Sequence, residues 1–126
     1  MSFMKKEETV KNLSLLSVGL MFVLAFHALS AATDDATKAT DHPVTMKDNS
    51  FDPQEIRIKV GDTVTWTNNG DADHTATSDD GAITTFNTGS VSSQGHSTQG
   101  PFKQAGTIKY HCRFHRHMVG TIVVEQ

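Results

Sequence analysis

Cys112, His115 and Met118 stand three residues apart near the C-terminal end of the chain, and His74 stands well upstream of them. All four lie close to strand-like runs. A thiolate, a thioether and two imidazoles are the nitrogen and sulfur donors that serve both Cu(I) and Cu(II), and a weak axial methionine is the mark of a blue-copper electron-transfer centre. Rival chemistries stay open on residue types alone. Cysteine and histidine suit zinc equally well, although zinc sites use thiolate, imidazole and carboxylate rather than thioether. A Cys–His hydrolytic pair would need an orienting acid or amide and an oxyanion site, and the sequence singles out neither. With seven histidines in the chain, a His near a Cys by coincidence, with no metal at all, is the remaining alternative.

The elements that must position these residues read as short strands. Thr107 to Cys112 forms one strand and Gly120 to Glu125 another, with β-branched flanks at Thr107-Ile108 and Thr121-Ile122-Val123-Val124 that argue against a helix. A tight loop between them presents Cys112, His115 and Met118 toward one point, and His74 comes from a neighbouring loop at the same end. Upstream, Glu55 to Val60 alternates with Ile56, Ile58 and Val60 on one face. Gly61-Asp62 marks a turn, Thr63 to Thr67 alternates with Val64 and Trp66 inward, and Asn68-Asn69-Gly70-Asp71 is a loop. Thr75 to Thr77 restarts a strand. Ser78 to Gly100 is rich in Gly, Ser, Thr and Gln, which predicts irregular loop with Ile83 and Phe86 dipping into the core; Phe102 also packs inside. After Leu29 no apolar residues recur at helical spacing for three turns. The fold class is all-β, a sandwich or barrel.

Length bounds the chain of 126 residues to one domain. Residues 1–32 read as a secretory signal: Lys5, Lys6 and Lys11 give a basic start, Leu13 to Leu29 is apolar, and Ser30-Ala31-Ala32 offers small residues for cleavage. The apolar run is 17 residues and contains His27, short of the ~20 of a membrane span; an uncleaved anchor is the alternative. Residues 33–42 read as a flexible lead-in and 43–126 as the domain. Loss of three lysines and two glutamates with the leader takes the formal net charge from −3 to −4. A mildly acidic chain argues against nucleic acid and against an anionic membrane surface. The lone cysteine excludes an intramolecular disulfide, the usual brace of small exported domains, and metal ligation explains its presence.

Phe51-Asp52-Pro53, Ile56 to Val60, Gly61-Asp62-Thr63-Val64-Thr65-Trp66-Thr67-Asn68, His74-Thr75 and Gly106 through Val124 resemble the cupredoxins, nearest the amicyanin, plastocyanin and pseudoazurin group. The resemblance covers roughly Pro43 to Glu125. The run from Tyr110 to Met118 has the compact Cys, plus three His, plus six Met spacing of amicyanin. The resemblance implies a Greek-key sandwich holding one type 1 copper, with His74, Cys112 and His115 as ligands and Met118 axial. It also implies a mobile one-electron carrier, with electrons passing through the exposed edge of His115. Thr75 departs from the pattern: many members have an Asn there that ties the two ligand loops together. Either the Thr75 hydroxyl takes over that job or the loops are held less tightly. Arg113-Phe114 replaces a frequent proline, and Thr98-Gln99-Gly100-Pro101 stands where an alternating strand is usual, so that Pro101 suits an edge or a bulge.

Other residues take plainer roles. His111 faces away from Cys112, His117 points outward, and His42 and His96 lack ligand spacing and read as solvated. Trp66 is core, and Phe114 shields the metal from water. Arg113 and Arg116 are either solvated loop charge or a docking surface for an acidic redox partner. The resulting expectation is an exported, monomeric, non-enzymatic carrier between donor and acceptor proteins, periplasmic in a bacterium. It would touch a membrane only if the N-terminal segment were retained. A copper storage or delivery module is the runner-up.

Overall fold

Inward and outward side chains alternate from Val44 onward, and that alternation builds the strands. The computed structural model describes residues 38–126. The expected leader and residues 33–37 of the expected lead-in lie outside the described residues. Eight strands follow in order: β1 (Asp41–Lys47), β2 (Ser50–Asp52), β3 (Glu55–Lys59), β4 (Thr63–Asn68), β5 (Thr77–Ser78), β6 (His96–Gln99), β7 (Gly106–His111) and β8 (Val119–Glu125). β1 takes in Asp41 and His42, which the sequence reading placed in the lead-in.

Two four-stranded sheets result, in the orders β2-β1-β4-β6 and β3-β8-β7-β5. β1 lies parallel to β4 and β3 parallel to β8, while the remaining neighbours are antiparallel. The sheets share one core: Val44, Met46, Phe51, Val64 and Trp66 from the first, and Ile56, Ile58, Ile108, Tyr110, Ile122 and Val124 from the second. Trp66 stacks on Phe86 with centroids 5.1 Å apart and meets Tyr110 edge-on at 5.6 Å, both within the favourable range for aromatic pairs. Gly120 sits opposite Tyr110 in the β7–β8 register, and any Cβ there would fall on the tyrosine ring. This is the all-β sandwich that the alternation predicted.

Three further expectations fail. Val60 is exposed rather than inward, because β3 ends at Lys59 and the chain turns through Gly61 with φ near 101°. Ile83 is likewise exposed, whereas Phe86 and Phe102 are buried as expected. Within the stretch expected to be irregular, His96–Gln99 forms β6 at the edge of the first sheet. Its residues are polar on both faces, so no hydrophobic period announces it; ladder pairing to β4 and the Thr65–Thr98 hydroxyl contact at 2.7 Å hold it instead.

Candidate metal centre

β7 turns Ile108 and Tyr110 inward, and the same alternation carried one residue past its end buries Cys112. The loop that follows is closed twice. The Cys112 N–H donates to the Met118 carbonyl at 2.9 Å, and the Met118 N–H donates to the His115 carbonyl at 3.0 Å. The first bond shuts the hairpin between β7 and β8; the second folds His115 back in a turn. His74 arrives from the connection between β4 and β5, where the chain passes from one sheet to the other. A two-way backbone bridge to Val91, at 3.1 and 2.8 Å, fixes it there.

His74 Nδ1 lies 3.2 Å from His115 Nδ1, and Cys112 Sγ lies 3.8 and 3.6 Å from these two nitrogens. A circle through three points at those separations has a radius of about 2.1 Å, close to metal–imidazole (~2.0–2.1 Å) and metal–thiolate (~2.3 Å) bond lengths. One ion at the centre of that triangle would therefore reach all three donors. The set of two imidazoles and a thiolate in a plane, with a buried Met118 in the same loop, fits copper better than zinc, for which the thioether is superfluous. Three of the sequence-expected residues are thus brought together by their donor atoms. Met118 is joined to them through the backbone bonds of its loop. His74 and Cys112 are buried and His115 is partly exposed, so a single imidazole edge connects the cluster with the surface.

Neighbours tune this arrangement. The Thr75 N–H donates to Cys112 Sγ at 3.3 Å, and the Thr75 hydroxyl accepts the Arg113 N–H at 2.9 Å. The hydroxyl therefore does tie the two loops, which decides between the two alternatives left by its departure from the family pattern. Burial pushes the His74 pKa below the ordinary histidine value, and the adjacent His115 pushes it further, against the opposing pull of Asp48 and Asp73. His74 is accordingly neutral, with a lone pair to give, near neutral pH. Phe114 stands 57% exposed in the same loop, so much of its ring faces solvent.

Asn68 escaped the sequence reading. It is fully buried, donates from Nδ2 to the Ala72 and Val91 carbonyls at 2.7 and 2.9 Å, and accepts the Gly70 N–H at 2.9 Å. These bonds shape the loop that delivers His74. The available signal was its place in the alternation Val64, Trp66, Asn68: a polar residue at an inward position has to be bonded. Of the other histidines, His111 pairs with Asp79 at 2.6 Å, His42 pairs with buried Asp62 at 2.8 Å instead of being merely solvated, and His96 and His117 are exposed. Among the described residues, His74, Cys112 and His115 form the group able to hold a metal ion.

The family model described as the cupredoxin-like domain matches residues 17–124. Amicyanin from Paracoccus denitrificans is 31% identical over 114 residues, covering 80% of this chain and 87% of amicyanin. Halocyanin from Natronomonas pharaonis is 35% identical over 79 residues, covering 60% of this chain and 48% of halocyanin. A solved structure of an oxidised amicyanin variant superposes with a TM-score of 0.62 at 29% identity, covering 67% of this chain and 81% of that one. A reduced amicyanin variant gives 0.62 at 31% identity, covering 68% and 82%.

Proposed function

Since this chain belongs to the cupredoxin-like family, we propose that it is an exported one-electron carrier whose copper would be held by His74, Cys112 and His115, with the thioether of Met118 from the same loop as the fourth donor. The observation that carries the reading is the triangle of donor atoms, whose size suits one metal ion. The cofactor is copper, and when bound it supplies exchange between Cu(I) and Cu(II) without any change in the protein's covalent structure.

The chain's own residues do the rest. A hairpin loop closed by two backbone bonds and a bridge that pins His74 hold the donors at nearly fixed separations. Little reorganisation then accompanies a change of charge at the centre, the physical condition for fast transfer. The Thr75 N–H stabilises negative charge on the Cys112 sulfur. The partly exposed ring of His115 offers the short route to a docked protein, while burial of His74 and Cys112 excludes water. Protein donors and acceptors are the partners; residues 1–32 act as the export signal, the residues ahead of β1 as a lead-in, and the working domain begins with β1 at Asp41.

Optical and electron-paramagnetic spectra of the copper-loaded protein test this directly. We expect an intense blue thiolate-to-copper band that disappears in Cys112→Ser and survives in Met118→Leu with a shifted reduction potential. A colourless Cu(II) adduct of the reduced wild-type chain rules the assignment out. Repeated redox cycling in the presence of a copper acceptor separates a carrier, which keeps its ion, from a delivery module, which loses it.

A further inference from the structure

We propose that the Asp48 carboxylate is a positioning residue for His74, fixing the proton on Nε2 so that Nδ1 faces Cys112 and His115 as a free lone pair. The inference rests on the reading of His74 as a metal ligand. Two observations on opposite sides of the imidazole lead to it. On the inner side, Nδ1 looks into the donor triangle. On the outer side, Nε2 is buried without a hydrogen-bond partner among the described residues, a state that native structures rarely leave unexplained.

On that side the Asp48 carboxylate stands closest among the acidic groups, with Oδ1 3.8 Å from Nε2. That separation is too long for a hydrogen bond, so the contact acts as a charge beside a ring dipole. A carboxylate on that side favours the tautomer whose N–H points toward it. The same negative charge makes the imidazole a stronger donor through Nδ1, as carboxylates behind metal-bound histidines do.

Asp48 is held in place by the loop it serves. Its Oδ1 accepts the Asp71 N–H at 2.8 Å and the Ala72 N–H at 3.4 Å, the residues just before His74. Those backbone donors, first Asp71 and then Ala72, also hold its carboxyl below the usual carboxylate pKa. Gly70 lies against the carboxylate, and a Cβ at that position would overlap it. The parallel β1–β4 register, Met46 opposite Asn68, is what brings the turn after β1 beside this loop. Asp73, the other nearby acid, is engaged by the Ser90 hydroxyl at 2.9 Å.

Nitrogen-15 NMR of the imidazoles in the metal-free protein reads the tautomer without reference to copper. In the wild type, His74 should carry its proton on Nε2. Asp48→Asn keeps an oxygen for the Asp71 N–H but removes the charge, and should shift the population toward Nδ1–H. The copper-loaded variant should bind its ion about tenfold more weakly and show a raised reduction potential, because the less basic imidazole stabilises Cu(II) less. Thermal unfolding confirms that the variant is folded; Asp48→Ser serves if it is not. An unchanged tautomer and an unchanged potential in a folded variant overturn the proposal. Loss of the blue band in the wild type, by contrast, strikes the ligand assignment while leaving the tautomer result intact.

Discussion

Thr75 reaches the loop that carries Cys112 in two ways, and each comes from a different part of the residue. Its backbone N–H donates to the sulfur, and its hydroxyl accepts the Arg113 N–H. A substitution can separate the two. Thr75→Val preserves shape and the backbone donor but leaves the Arg113 N–H without its acceptor, a loss worth about 1 kcal/mol at a half-buried position. We expect the blue band to persist, denaturation of the metal-free protein to occur at lower denaturant, and Thr75→Ser to restore stability. Equal stability of the Val variant would show that the hydroxyl is not tying the loops. His74, Cys112 and His115 were legible as a set because their chemistry is rare and their order simple. Asp48 was not, since only the pairing of distant strands puts it near His74.

At the scale of elements, strands with one apolar face could be read and strands without one could not. Ile56 and Ile58, Val64 and Trp66, and Ile122 and Val124 all point inward as their period of two requires. β6 and the two-residue β5 carry polar side chains and exist through backbone pairing and side-chain hydrogen bonds, Thr98 to Thr65 and Ser78 to the Phe86 N–H, rather than through an apolar face. The end of the sandwich away from the metal loops depends on another residue that the pattern marked only as a turn. Asp62 is buried and accepts the Thr40 and Lys59 N–H groups, each at 2.9 Å, and contacts His42 Nε2 at 2.8 Å. It thus joins the start of β1, the end of β3 and the start of β4. Those two backbone donors, with His42 adding less, lower its pKa to about 2 from an ordinary 3.8. The folded state therefore holds its proton less tightly than the unfolded chain. The stabilisation is complete above the ordinary carboxylate pKa and disappears as pH falls from about 3.8 toward 2. Asp62→Asn should cost roughly 2 kcal/mol at pH 7, with a gap to the wild type that narrows near pH 2 in urea denaturation. β4 runs roughly 20 Å from Asp62 to the His74 loop, so the blue spectrum at pH 7 should not change. A constant gap at both pH values would deny Asp62 this electrostatic role.

Across the whole molecule, charge is uneven around the end that carries the centre. The chain is net negative, at −3, and Asp48, Asp71 and Asp73 lie on the His74 side. Arg113 and Arg116 bracket His115, and among the described residues neither guanidinium has a carboxylate within ion-pair distance. Beside them the exposed Phe114 and Val119 offer apolar contact. A pair of unneutralised cations next to the partly exposed ligand ring matters more for encounter rates than for stability, because exposed charges act at long range until salt screens them. Screening sets in over ~8 Å at physiological ionic strength. Oxidation by ferricyanide, a trianion, and reduction by hexaammineruthenium(II), a dication, therefore report the field at the point of electron transfer. Arg113→Gln with Arg116→Gln should slow the ferricyanide reaction about tenfold at low salt, speed the ruthenium reaction, and flatten the salt dependence of the former. The reduction potential, measured separately, corrects both rates for driving force. If the ratio of the two corrected rates stays at its wild-type value, the arginines do not shape the approach of an acidic partner and are ordinary solvated loop charge.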